Sequence, residues 1–238
     1  MLGPTPAQRK QWDDQGFLIL EGAIGGAELE RLRKPFDHWA EQCREGWFER
    51  VEAGEEAPTY YDIPDPLEKD VVFVELVDHP AYCGLLEEFT DGELLFHTAQ
   101  LRTVPPWPLS YTRWHRDDPD NDALHIKVQI YIDDVPPGGG EFAYVPGSHK
   151  PDAARYRPPQ RNESMPGHRA LPGKAGTVIV FHACGCHTVM DNPSRTPRKS
   201  VILSYEKGVP ERIRTEAFAA IAHHCTTPKR KALFGLEP

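Results

Sequence analysis

His125-Ile126-Lys127-Val128-Gln129-Ile130-Tyr131-Ile132 alternates apolar and other side chains from end to end. Successive side chains of an extended chain leave opposite faces, so Ile126, Val128, Ile130 and Ile132 share one face, and Lys127, Gln129 and Tyr131 the other. So pure an aliphatic face predicts packing under another layer, here N-terminal helices, with the opposite face toward solvent or a polar cavity. Arg198–Tyr205 repeats the pattern: Val201, Leu203 and Tyr205 oppose Arg198, Ser200, Ile202 and Ser204. With both apolar faces under helices, Gln129, Arg198 and Ser200 look into one cavity.

Outward from these two segments, the period stays near two from Leu94 onward. Strands are expected at Leu94–Thr103, Thr112–Asp117, His125–Ile132, Glu141–Val145, Thr177–His182 and Lys199–Tyr205, divided by turn-rich stretches such as Pro136-Pro137-Gly138-Gly139-Gly140. Short strands at this spacing predict a mainly β jelly roll with flanking α-helices. Phe17–Ile24 reads as a first strand. Leu29, Leu32, Phe36 and Trp39 mark one face of a helix reaching about Arg50, followed by a proline-marked loop and a helix pair over Val71–Val77 and Pro80–Phe89. Glu211–His224 reads as helix and Lys229-Arg230-Lys231 as a solvated tail. The expected organisation is one domain: helical support over 1–93, the β core over 94–207, and a C-terminal helix and tail over 208–238.

Composition narrows the class. The 238 residues carry a net charge of −9, which opposes nucleic-acid binding, a function that needs a basic face. No apolar run approaches the ~20 residues of a membrane span. Met1-Leu2-Gly3-Pro4 has no charged start leading into an apolar stretch, so no signal peptide is expected. The five cysteines, at 43, 83, 184, 186 and 225, are odd in number and scattered, which reads as reduced and cytoplasmic.

The chemistry begins at Trp114-His115-Arg116-Asp117-Asp118. On an extended segment His115 and Asp117 leave the same face and Asp118 points elsewhere, giving two thirds of the two-His-one-carboxylate set that holds non-haem Fe(II). Downstream, His182 and His187 compete for the third place. Cys184-x-Cys186-His187 invites zinc but lacks the second ligand pair such sites draw on. On Leu94–Thr103, Thr98, Gln100 and Arg102 share a face, so Arg102 is a candidate contact for co-substrate or substrate. Lys150–Ala170 holds five basic residues (Lys150, Arg155, Arg157, Arg161, Arg169) against Asp152 and Glu163, and reads as a lid favouring an anionic small molecule. Trp107, Tyr111 and Trp114 read as walls of an apolar pocket, and His149 as a loop-fixing residue.

The ordered set of His115-x-Asp117, Val145-Pro146-Gly147-Ser148-His149, Gly176…Phe181-His182, His187, Asn192 and Arg198, with the opening Gly16-Phe17-Leu18-Ile19-Leu20-Glu21-Gly22, resembles the phytanoyl-CoA dioxygenase-like family of Fe(II)/2-oxoglutarate oxygenases over about residues 13–207. The resemblance implies a double-stranded β-helix, a metal held by His115, Asp117 and His187, and Arg198 on the distal carboxylate of 2-oxoglutarate. It also implies a co-substrate contact at Gln129, with Ser200 adding a hydroxyl, whereas the family's lysine near the first core strand falls on Val104. Dioxygen, Fe(II) and 2-oxoglutarate together would oxidise a C–H bond of a small-molecule metabolite and release succinate and carbon dioxide. Relatives that halogenate carry a small residue in place of the carboxylate, so Asp117 favours hydroxylation, desaturation or ring formation. Without the resemblance two readings stay open: a cupin-like metal enzyme that uses no 2-oxoglutarate, and a non-catalytic jelly-roll binding module.

Overall fold

The computed structural model describes residues 3–106, 112–117, 124–150, 165–208 and 215–236. Trp107, Tyr111, Asp118 and most of the expected lid, including Arg155, Arg157 and Arg161, lie outside the described residues.

The chain enters through α1 (Pro6–Gln15), which the sequence reading passed over. Its start is a capping box: Gln8 N donates to Thr5 Oγ1 at 3.2 Å and Thr5 N donates to Gln8 Oε1 at 2.9 Å, with Pro6 in the first turn. Gly16 ends it at φ 81°, where a Cβ would also sit 2.4 Å from His149 Nδ1. Then follow β1 (Phe17–Leu20) and α2 (Gly26–Glu52), which buries Leu29, Leu32, Phe36, Ala40 and Trp47. β2 (Tyr61–Asp62), α3 (Val71–Glu75) and α4 (Cys83–Phe89) complete the N-terminal part.

The core strands are β3 (Leu94–Val104), β4 (His125–Tyr131), β5 (Phe142–Tyr144), β6 (Arg169–Leu171), β7 (Val178–His182), β8 (His187–Val189) and β9 (Arg198–Lys207). They form two antiparallel sheets, one ordered β1-β7-β4-β9-β3-β2 and one ordered β6-β5-β8. β1 and β2 come from the N-terminal region, so support and core share one sheet.

The pleat sorts side chains as the alternation requires. Ile126, Val128, Ile130, Val178, Val180, Val201, Leu203 and Tyr205 pack in one cluster with Leu32, Phe36, Phe73 and Leu86 of the helices. On the inner face, Phe17, Tyr131, Ile179 and Phe181 meet Phe142, Tyr144 and Leu171 of the small sheet. The result is three layers: helices, large sheet, small sheet. No helix among the described residues is long and apolar enough to cross a membrane.

Glu211–His224 is helical in its described part, as the 3-10 helix Thr215–His224. Two expectations are corrected. Thr112–Asp117 forms no strand; only His115 makes a bridge, because the Thr112 hydroxyl accepts from Val189 N at 2.8 Å where a ladder would use main chain. The basic triplet is not a solvated tail but part of α5 (Pro228–Leu233): Arg230 Nη2 lies 2.7 Å from Asp78, Lys229 Nζ 2.6 Å from Glu87, and Phe234 is buried against Phe96 and Phe218.

Candidate metal centre and active site

His115 and His187 are partners in an isolated antiparallel bridge. His115 N donates to His187 O at 3.0 Å and His187 N to His115 O at 2.9 Å, which brings the ring centroids to 4.4 Å. Asp117 N then donates to Ala183 O at 3.0 Å, placing its carboxyl beside both rings. His187 Nε2 is 3.3 Å from Asp117 Oδ2 and His115 Nε2 is 3.8 Å from Asp117 Oδ1. One ligand atom from each of the three lies within 4.8 Å of the others, the single metal-capable group among the described residues. His187 is therefore the histidine that meets the pair, and it opens β8 rather than sitting in a turn. His182 ends β7, accepts from Cys184 N through Nδ1 at 3.2 Å and stacks on Trp12.

Both imidazoles are fixed in the same tautomer by local backbone. His115 Nδ1 lies 2.7 Å from Arg113 O and His187 Nδ1 lies 2.8 Å from Gly185 O, each the carbonyl two residues upstream. A proton on Nδ1 satisfies that bond and leaves the Nε2 lone pair for a metal ion. Burial, followed by the neighbouring His187 ring, pushes His115 down to about 4, so its imidazole is neutral at pH 7. Burial works against the charge on Asp117, but the His187 ring and the Lys127 ammonium outweigh it and hold the carboxyl well below the usual range. The set has the charge and donor types that a hard-to-borderline divalent ion needs.

The turn that leads into His187 is anchored by the Pro-Gly-Ser motif. Cys186 N donates to Ser148 Oγ at 2.7 Å, Gly147 N donates to Gln15 O at 3.0 Å, and Tyr144 Oη donates to His182 O at 3.0 Å. The His149 ring lies tilted against His182, with centroids 5.3 Å apart. The Cys186 thiol is buried and pushed up by that burial, which leaves it a packing residue beside Trp114, Ala143 and Val145 rather than a thiolate.

Asp117 lines a smaller adjoining cavity, and the two histidines open onto one of about 520 Å³. His115, Gln100, Arg102, Lys127, Gln129 and Phe181 are among its walls. Arg102 is held rigidly there: Nε and Nη2 donate to the two oxygens of Asp62 at 2.8 and 2.7 Å, and its guanidinium lies 3.5 Å from the Tyr60 ring centroid. Arg198 and Ser200 do not line this cavity. They sit on the same sheet face and are fully buried, with Arg198 Nη2 donating to Ser200 Oγ at 3.2 Å. Arg198 Nε and Nη1 and Gln129 Nε2 have no hydrogen-bond partner among the described residues. Burial pushes the guanidinium down to about 10, yet it remains a cation, and no described carboxylate pairs with it. An unpaired buried charge costs several kcal/mol, and an anion beside this one would offset that cost. That fits a dicarboxylate co-substrate.

Sequence reasoning missed Lys127, whose Nζ is 2.8 Å from Asp117 Oδ2, and Arg113, which lines the cavity mouth. The signal for Lys127 was present, since it lies two residues from Gln129 on the polar face of the same strand.

The family profile for phytanoyl-CoA dioxygenase (PhyH) matches residues 12–200. Among curated proteins, the chain is 25% identical over 174 residues to L-proline trans-4-hydroxylase of Streptomyces griseoviridis, covering 58% of this chain and 64% of that one. It is 23% identical over 163 residues to a probable alpha-ketoglutarate-dependent hypophosphite dioxygenase of Stutzerimonas stutzeri, covering 61% and 54%. The matches thus span less than two thirds of either relative's length. Among solved structures, the non-haem alpha-ketoglutarate-dependent carbocyclase SnoK from nogalamycin biosynthesis shares the fold at a TM-score of 0.66 and 19% identity, over 85% of this chain and 84% of that one.

Proposed function

The chain belongs to the phytanoyl-CoA dioxygenase (PhyH) family, and from that premise we propose that it is an Fe(II)- and 2-oxoglutarate-dependent oxygenase. It hydroxylates, or otherwise oxidises a C–H bond of, a small anionic metabolite. The observation that carries the reading is the convergence of His115, Asp117 and His187 on one point, together with the unpaired Arg198 on the inner face of the large sheet.

His115, Asp117 and His187 would hold the iron. When bound, Fe(II) with 2-oxoglutarate and dioxygen supplies the oxidising power: one oxygen atom leaves in succinate as carbon dioxide is lost, and the other goes to the substrate. The rest is the work of this chain. The Nδ1–H bonds to backbone keep both rings from turning, so that their Nε2 atoms and the Asp117 carboxylate would hold the ion from one side. Arg198 takes the distal carboxylate of the co-substrate with its two free N–H groups, with Ser200 beside it and Gln129 donating from the neighbouring strand. Arg102, clamped by Asp62 and Tyr60, guards the cavity wall where co-substrate and substrate meet. Phe142 and Phe181 pack on His187 at centroid distances of 5.6 and 5.1 Å and exclude water from that side. A metal enzyme that dispenses with 2-oxoglutarate would leave the buried charge of Arg198 unanswered.

An anionic substrate is supported by the cations on the cavity wall, and the two curated relatives are named for proline, which bears a carboxylate, and for hypophosphite. Five free cysteines suit the cytoplasm. The test is a succinate-release screen over metabolite pools with the Asp117→Ala protein as blank. Release in at least one pool by the unaltered protein alone supports the reading; equal release by the blank contradicts it.

A further inference from the structure

Resting on the oxygenase reading above, we propose that Lys127 selects the substrate: its ammonium pairs with Asp117 in the metal-free chain and takes the anionic group of the substrate once a metal ion claims that carboxylate.

β4 turns Lys127 to the inner face, between Phe181 on β7 and Ser204 on β9. The side chain lines the main cavity and also an adjoining one of about 270 Å³ that touches Asp117, Gln100 and His97. With Gln100 it borders both, and its flexible stem can move the charge without moving the strand. Its one ionic partner among the described residues is Asp117, at 2.8 Å.

Charge balance gives the contact its meaning. The described residues lining the main cavity include Arg102, Arg113 and Lys127 and no carboxylate. Asp62 answers Arg102. In the loaded site a divalent ion, the Asp117 carboxylate, a dianionic co-substrate and Arg198 cancel. Lys127 then loses its counter-charge to the metal ion, and Arg113 is exposed with no side-chain partner among the described residues. A cavity with two unanswered cations, in a chain of net charge −9, is complementary to an oxyanion: a carboxylate, phosphonate or phosphate placed next to the C–H bond to be oxidised. The described lining offers no carboxylate to a substrate ammonium, so the anionic end is the one recognised.

The test uses wild-type, Lys127→Met and Lys127→Arg proteins loaded with Ni(II) and 2-oxoglutarate. A microbial metabolite extract is split on an anion-exchange resin at neutral pH into retained and unretained fractions. Each protein is equilibrated with each fraction, and the small molecules it holds through ultrafiltration are identified by mass spectrometry. The wild type should enrich compounds from the retained fraction only. Lys127→Met should lose that enrichment by ~10-fold or more, the worth of one charge-assisted hydrogen bond, while still binding Ni(II) and 2-oxoglutarate, and Lys127→Arg should recover part of it. Enrichment from the unretained fraction, none from either, equal enrichment by Lys127→Met, or loss of Ni(II) or 2-oxoglutarate binding in that variant would each overturn the proposal. Failure of the oxygenase reading shows separately, as wild-type protein that takes up Ni(II) but not 2-oxoglutarate.

Discussion

His182 shows how burial, helped by neighbouring histidines, changes the charge state of one imidazole. In an unfolded chain it would protonate near 6.5; in the fold, burial, then His149 and His125, push it down to about 4. Between those values the unfolded state binds a proton that the folded state refuses. Stability is therefore fully present above pH 6.5 and is lost as the pH falls toward 4. Lowering the pH from 7 to 5 should cost about 2 kcal/mol through this residue. His182→Asn keeps an acceptor where Nδ1 meets Cys184 N and removes the titration. Urea unfolding of the variant should lose about 2 kcal/mol less over that interval than the wild type does; an identical loss would contradict the argument. His115 is pushed the same way, but its side chain is 48% exposed, so screening reduces its share.

At the scale of elements, the turn between β7 and β8 decides whether the metal site forms. Gly185 supplies the carbonyl that fixes the His187 tautomer, and a Cβ there would lie 1.7 Å from Tyr144 Oη. Tyr144 is fully buried, so Gly185→Ala must shift the turn. Metal titration should show affinity reduced on the order of 10- to 100-fold, the usual cost of a lost orienting contact; unchanged affinity would mean that the carbonyl does not orient the ring. The same turn marks the limit of what the sequence discloses. β4 and β9 were legible because each is long and buries one pure apolar face. β8 was not, because a three-residue strand has no period to read. The 112–117 segment looked like a strand because its alternation is real, but threonine hydroxyls supply the bonds that a neighbouring strand would. The C-terminal triplet looked solvated because the anchors that pack it, Leu233 and Phe234, follow it in the chain. Arg198 was placed on its strand face by spacing, whereas its complete burial, with the Tyr131 ring centroid 6.0 Å from the guanidinium, is a matter of tertiary packing.

The molecule as a whole joins an acidic surface to a cationic interior. Helices cover one side of the large sheet, the small sheet covers the other, and the triad sits where β8 meets the segment before β4. No single element holds the site: His115 and Asp117 come from a loop, His187 from the small sheet, Arg198 and Gln129 from the large one. Only the closed jelly roll brings them together, so co-substrate binding reports on the whole arrangement. The most direct measurement is visible absorption under anaerobic conditions as Fe(II) and then 2-oxoglutarate are added to the wild type and to Arg198→Met. The account predicts a metal-to-ligand charge-transfer band in the wild type on the second addition, and iron binding without that band in Arg198→Met at the same co-substrate concentration. Iron binding in the wild type with no band, or a band that Arg198→Met leaves unchanged, would contradict it.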